Sequence, residues 1–170
     1  MSPDVRAVGA QSRADATDSY LRSSRALPAC TRELDHLAAG VAARATSAAA
    51  ELGATIEVRR SPGRCIVQFG AVALTLSWVR DRVDTVADGC LLVNEWDGIV
   101  ARGIVPSPER APVRAGRTAT LLRERLFVAD ATQEKDWRWR EEKGGGMHSS
   151  DDLAAQCVDS LVAGWRAKAS

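Results

Sequence analysis

The most distinctive cluster of chemical groups in this sequence is Trp137–Arg140, where two tryptophans alternate with two arginines. In an extended strand, alternate residues point to opposite faces, so the arginines separate from the tryptophans. If the preceding strand pairs apolar residues with apolar ones, Val128 faces Trp137 and Leu126 faces Trp139. This register predicts a single arginine face with four members: Arg123, Arg125, Arg138 and Arg140.

That arginine face is our candidate interaction surface, and the preceding loop adds Arg114 and Arg117 to it. Like charges side by side destabilise a sheet, so acidic neighbours or an anionic partner must compensate. The alternative, a solvated outer face, is favoured because exposed long cations need no special role. Three of the 23 basic residues are lysine, and this arginine bias indicates GC-rich bacterial coding. Nucleic acid is not the favoured partner, because nucleic-acid surfaces combine aromatics and cations on one face.

Histidine chemistry is limited to His36 and His148. A catalytic triad needs a nucleophile and an acid that converge on one histidine. Ser149 and Asp152 lie close to His148 in sequence, but capping of the last helix accounts for both. Two distant histidines do not form a metal site, and no CxxC pair occurs, so we expect no metal or cofactor.

The composition is that of an ordinary globular protein. Hydrophobic residues make up 45% of the 170 residues, and the formal net charge is +1, which provides no global field to steer polyanions. No apolar run approaches the roughly 20 residues that span a bilayer, and we recognise no secretory signal. Cys65, Cys90 and Cys157 lie at positions of the apolar pattern and are interpreted as buried hydrophobes in a reducing compartment. We therefore expect a cytoplasmic protein that does not enter membranes.

The strands that position these groups begin in the stretch 55–79, which predicts three strands joined by two tight turns. Four alternating residues share one face of the third strand: Val72, Leu74, Leu76 and Trp78. The turn signals are Ser61–Arg64, which contains Pro-Gly, and Gly70. Further strands are predicted at Cys90–Asp97, Ile99–Ala101, Thr118–Val128 and Trp137–Glu142.

Turn and loop signals separate the later strands. Asp97-Gly98 predicts a two-residue hairpin turn. The stretch 102–117, rich in proline and arginine, predicts a long exposed loop. The glycine run in Lys143–Gly146 predicts a flexible break before the last helix.

Two helices flank the predicted sheet. The first extends from Thr31, as N-cap, to Leu52, with Gly53 ending it. The second begins near Ser149, and its apolar stripe is Leu153, Cys157, Leu161 and Trp165. Residues 1–30 lack periodicity and predict a disordered tail, which leaves 31–170 as a single domain.

The order helix, five to seven mostly antiparallel strands, helix predicts an α+β two-layer domain, with one curved sheet and both helices on one face. This plan is similar, in architecture alone, to small bacterial secretion chaperones and immunity-type proteins. Our leading hypothesis is a non-enzymatic interaction module that binds a partner protein or a second copy of itself. The alternatives are polyanion or nucleic-acid binding through the arginine face, and an enzyme with a site near His148.

Overall fold

The computed structural model describes residues 5–81, 84–100 and 119–170. Its helices are α1 (Val5–Arg22), α2 (Ala26–Leu52) and α3 (Ser150–Ala169), with a short 3-10 helix at Glu134–Asp136. Its strands are β1 (Ile56–Ser61), β2 (Arg64–Phe69), β3 (Val72–Arg80), β4 (Gly89–Asp97), β5 (Thr120–Asp130), β6 (Arg138–Glu141) and β7 (Met147–His148).

The described strands form one antiparallel sheet in which each strand lies beside the next in sequence. Helices α2 and α3 pack against each other and against the same face of this sheet, which we call the covered face. Their approach is close, since a Cβ at Gly40 of α2 would lie 3.2 Å from Ala154 Cβ of α3. The predicted α+β class is confirmed, with a curved antiparallel sheet and helices on both sides of it in the sequence.

The predicted alternation in β3 is also confirmed. Val72, Leu74 and Leu76 are buried on the covered face. They join one core with Leu37 of α2 and Leu153 of α3. Burying each large aliphatic side chain contributes about 1.5–3 kcal/mol relative to leaving it in water, so this face holds most of the stabilising energy.

The N-terminal region differs from the predicted tail in the residues that the structure describes. Helix α1 occupies most of it, and α2 begins at Ala26 rather than at Thr31. Thr31 is not a cap: its hydroxyl donates to the Leu27 carbonyl, 3.2 Å away. Pro28 lies in the first turn of α2, where proline is tolerated because its missing N–H is not needed. Residues 1–4 lie outside the described residues.

The return strand predicted at Ile99–Ala101 is wrong in its described part, because Ile99 and Val100 are not in a strand. Ala101 and the predicted loop 102–117 lie outside the described residues. The Gly98 N–H donates to the Ala71 carbonyl at 2.8 Å. The Val100 N–H donates to Gln68 Oε1 at 2.8 Å. The chain therefore turns towards the β2–β3 turn instead of folding back along β4.

The glycine run is a tight turn and not the predicted flexible break. Gly144 and Gly145 have φ values of 102° and 65°, which residues with a Cβ rarely adopt. The Glu141 N–H donates to the Gly146 carbonyl at 2.8 Å and closes the turn. The turn adds β7, which the sequence did not predict, to the edge of the sheet.

Candidate interaction surface

The pairing of β5 with β6 differs from the predicted register. Val128 lies opposite Arg140 and Ala129 lies opposite Trp139, a shift of three residues from the prediction. An odd shift moves every side chain of one strand to the other face relative to its partner. The prediction that four arginines share one face is therefore wrong: β5 directs Arg125 to the covered face, beside the tryptophans. Trp137 and Trp139 are buried, as predicted.

The connection between the two strands sets this register. Asp136 accepts hydrogen bonds from the backbone N–H of Thr132 at 2.9 Å and of Gln133 at 3.0 Å. The Thr132 hydroxyl donates to the same carboxylate. These bonds lower the pKa of Asp136 although its partial burial opposes them. The connection is thereby fixed as a compact 3-10 turn, which delays the start of β6.

Arg125 is held in a buried ion pair. Its Nε and Nη2 atoms donate to the two Glu141 oxygens at 2.9 and 2.8 Å, and the side chains are only 9% and 19% exposed. The guanidinium also lies 4.9 Å from the Phe127 ring centroid. The hydrogen bonds from Arg125 hold the pKa of Glu141 below its ordinary value. This pair ties β5 to β6 under α3, and Arg125 is not available to a partner.

His148 lies at the edge of the same cluster. Its Nδ1 is 3.1 Å from Gln156 Nε2, and its Nε2 is 3.9 Å from Glu141 Oε2. Cys157 also lies in this region, but burial raises the pKa of its thiol to about 12, which keeps it protonated. The Ser149 hydroxyl accepts the Asp152 N–H and caps α3, as predicted. The hydrogen bond between His148 and Gln156 thus joins β7 to α3, and it engages no nucleophile.

The remaining candidate arginines are dispersed. Arg123 is exposed on the covered side of β5, opposite Glu95 of β4. Arg138 and Arg140 are exposed on the opposite side of β6. Arg114 and Arg117 lie outside the described residues. The four-arginine face on which the polyanion-binding hypothesis depended is therefore not formed. A binding role for the individual arginines stays a prediction.

The sheet face away from α2 and α3 carries a contiguous apolar patch, which we call the open-face patch. Its members are Val79, Cys90, Leu92, Leu126 and Val128. Val79 lies opposite Cys90, and Leu92 lies opposite Leu126. Alternate residues of β4 and of β5 complete the patch, so all five side chains point the same way. Val79 is 43% exposed and the others are half-buried.

Carboxylates surround this patch. Glu124 precedes Leu126 by two residues on β5, Asp81 follows Val79 by two, and the Glu142 N–H donates to the Leu126 carbonyl at 3.0 Å. Burial raises the pKa of the Cys90 thiol, and the charges of these three carboxylates raise it further. None of the three has a salt bridge to a described residue.

Two arginines of the described residues lie at the margin of the patch: Arg64 of β2, which lies opposite Ser77, and Arg140 of β6. Arg140 lies opposite Val128, and its Nε is 3.8 Å from Asp130 Oδ2. Asp130 in turn lies 3.4 Å from Arg13 of α1. The positive charge of Arg140 is thus partly matched already. The three carboxylates outnumber Arg64, so the charge around the patch is acidic on balance.

The described residues contain no group of three or more His, Cys, Asp or Glu side chains placed to hold a metal ion. Among the same residues, no helix is both long and apolar enough to cross a membrane. No protein-family model, curated protein or solved structure matches this chain. The surface of the molecule is therefore the basis on which a function can be assigned.

The sequence contained a signal for the open-face patch. In β4, Cys90 and Leu92 are apolar on one face while Leu91 and Val93 are apolar on the other, which we interpreted only as the mark of an interior strand. In β5, Leu126 and Val128 alternate with Phe127 in the same way. A strand that is apolar on both faces, in a sheet with helices on one face only, predicts an uncovered apolar surface.

Proposed function

We propose that this chain is a non-enzymatic interaction module that binds an apolar, basic protein segment across the open-face patch. One observation carries the proposal: five contiguous apolar side chains are surrounded by Asp81, Glu124 and Glu142, which have no salt bridges to described residues. Exposed apolar surface with a polar rim is typical of docking sites.

The shape of the surface favours a protein partner. The open-face patch lies on the pleated face of β3, β4 and β5, whereas sites for small molecules are concave and enclose most of the ligand. A helix or strand of another protein can cover such a face with one apolar side of its own. Docking then removes both apolar surfaces from water, at about 25 cal/mol per Å².

The three carboxylates at the rim of the patch, Asp81, Glu124 and Glu142, favour a partner segment with basic residues. Lysine or arginine at the margin of the docked segment would pair with the three carboxylates, which favours encounter and orientation more than final affinity. A second copy of this chain is the weaker candidate, because a two-fold axis through the patch would bring identical acidic rims together. We therefore expect a partner segment that is apolar in the centre and basic at its margins.

Two peptides with the same leucine spacing test this proposal, one with lysine and the other with glutamate at the polar positions. We expect the Leu/Lys peptide to bind, with affinity that falls as salt rises, and the Leu/Glu peptide not to bind. Leu126→Lys should weaken binding about tenfold or more, since it places a cation in the centre of the patch. Fluorescence anisotropy of labelled peptides measures both effects.

A second set of variants tests the rim carboxylates separately from the apolar centre of the patch. The double variant Glu124→Gln/Glu142→Gln should weaken binding of the Leu/Lys peptide less than Leu126→Lys does, and should flatten its salt dependence. Asp159→Gln is the matched control, because Asp159 is an exposed acid of α3 on the other side of the molecule. Equal affinity for the two peptides, or unchanged binding by Leu126→Lys, would contradict the proposal. A wild-type dimer that Leu126→Lys dissociates in sedimentation would replace the basic partner with a second copy.

A further inference from the structure

An open groove of about 760 Å³ lies between α2 and α3, and its described lining residues all belong to these two helices. The helices are parallel here. His36 Nε2 is 2.9 Å from Asp151 Oδ1, and further along both helices Gly40 approaches Ala154. The groove therefore follows the outer seam of a parallel helix pair, on the other side of the sheet from the open-face patch.

Short side chains form the floor of the groove. Its lining residues include Ala43, Ser47, Ala48, Ala155, Val162 and Ala163. Each of these is exposed or half-buried, so the floor is open to solvent. Helix axes pack about 8–10 Å apart, depending on the side chains at the contact, and short side chains allow the closer spacing. The groove can therefore receive side chains of further helices.

Charged residues stand at the four corners of this groove. On α2, Arg44 and Glu51 are two helical turns apart and so share one face. On α3, Asp159 and Arg166 have the same spacing with the signs in the opposite order. All four side chains are exposed, and none has a salt bridge to a described residue. The corners thus provide two positive and two negative charges without partners among the described residues.

The signs also alternate across the groove. Asp159 lies level with Arg44 to within one residue, or about 1.5 Å, counted from the contact of Gly40 with α3. Arg166 lies level with Glu51 by the same count. Each corner therefore has the opposite sign to its neighbour along the groove and to its neighbour across it. Such a pattern complements itself: when two copies face each other about a two-fold axis, each corner meets the opposite charge.

We propose that a second copy of this chain packs on this groove, with α2 antiparallel to α2 of the copy and α3 antiparallel to its α3. The two-fold axis then lies perpendicular to the helices, level with Ser47. Arg44 meets Glu51 of the second copy, and Asp159 meets its Arg166. The short side chains lie in the centre, between these ion pairs. This interface is separate from the open-face patch, and it does not depend on the function proposed for that patch.

The size of the two helices predicts a weak, reversible dimer. Helix α3 has 20 residues and is therefore about 30 Å long, and two adjacent helices are about 20 Å wide. The contact then covers about 600 Å² of each copy, less than the roughly 800 Å² of a standard interface. We expect a dissociation constant in the micromolar range that rises with salt, because exposed ion pairs are screened.

Charge reversal tests the arrangement by analytical ultracentrifugation. Arg44→Glu should weaken the dimer about tenfold or more, because it places an acid opposite Glu51 at two symmetric positions. Arg44→Glu/Glu51→Arg should restore the wild-type dissociation constant, since the exchanged charges again face each other. The restored dimer would also show that position 44 tolerates the new charge in the fold.

Controls for this experiment lie on the other face of the sheet. Arg64→Glu makes the same change of charge at an exposed residue of β2, and it should leave the dimer unchanged. Leu126→Lys should also leave it unchanged. A wild-type protein that stays monomeric at high micromolar concentration and low salt would overturn the proposal. A double variant no more dimeric than Arg44→Glu would contradict the antiparallel pairing of α2 with its copy.

Discussion

The two faces of this sheet are formed by the same strands, but their charged side chains differ in burial and in pairing. On the covered face, Arg125 and Glu141 form a bidentate pair and are mostly withdrawn from water. On the open face, Asp81, Glu124 and Glu142 surround an apolar patch and have no salt bridge to a described residue. The covered face also provides the residues of the main core, whereas the apolar residues of the open-face patch remain partly exposed.

The difference follows from the dielectric environment of each face. Removing a charge from water costs several kcal/mol, so a charge under a helix must have a partner within the fold. A charge on an uncovered face stays hydrated and gains little from a partner until one excludes the water. The Arg125–Glu141 pair therefore belongs to the structure, and charges around the open-face patch are available for binding. Matched substitutions on the two faces test this distinction.

The largest contrast should come from two leucines. Leu74→Ala, on the covered face, should lower the free energy of unfolding by about 2–5 kcal/mol, because it leaves a cavity in the core. Leu126→Ala, on the open face, should cost about 1 kcal/mol or less, since Leu126 is half-buried and water can replace its side chain. Urea denaturation of both variants measures the difference. Similar losses at the two positions would show that something covers the open face.

The second contrast compares two arginines of β5. Arg125→Met should lower the free energy of unfolding by about 2–4 kcal/mol, because Glu141 is left buried without its partner. Arg123→Met should change stability by about 0.5 kcal/mol or less, since Arg123 is exposed. Urea denaturation of each variant gives both values. Adding Glu141→Leu to Arg125→Met should restore most of the loss, and failure to do so would mean that Arg125 stabilises through its packing on Phe127.

A pH dependence follows from the same pair. The folded state lowers the pKa of Glu141, so the unfolded state binds its proton more tightly. The stabilisation is therefore fully present above the unfolded pKa, about 4.3, and is lost as pH falls through the folded value. The stability difference between wild type and Arg125→Met should narrow as pH falls from 7 to about 3. A difference that stays constant over this range would contradict an ionic role for the pair.

The smallest effect should appear at Cys90. Glu124→Gln/Glu142→Gln removes two carboxylates that raise the pKa of the Cys90 thiol, so the thiolate fraction should increase. Alkylation near pH 8 should accelerate about two- to threefold, because each carboxylate acts across an exposed surface. Asp159→Gln, on α3, should leave the rate unchanged. An unchanged rate in the double variant would mean that the carboxylates lie too far from the patch to define its charge.

The sequence predicted the covered face better than the open one. The alternation of Leu74 and Leu76 in β3 and the stripe of Leu153 and Leu161 in α3 indicate one shared core, because burial imposes a period on each element. Helix α1 has no comparable signal: of its side chains that the structure describes, only Tyr20 and Leu21 are buried, so periodicity could not distinguish it from a tail.

The register of β5 and β6 shows why the candidate site could not be predicted in full. Matching apolar residues across the two strands is a weak guide here, because residues 126–129 of β5 are all apolar and can face the tryptophans of β6 in either register. The register is determined by the length of the connection, and that length depends on Asp136 accepting the Thr132 and Gln133 N–H groups. A shift of three residues was enough to bury Arg125 and leave Arg140 on the open face.

The most direct test of the account is the reactivity of Cys90 in the folded protein. Cys90 lies in the open-face patch, and the other three cysteines are buried, so alkylation under native conditions reports on this patch. We predict that a saturating concentration of the Leu/Lys peptide slows alkylation about tenfold or more, and that the same concentration of the Leu/Glu peptide does not. Alkylation at an unchanged rate with the peptide bound would place the docking surface elsewhere and contradict the central claim.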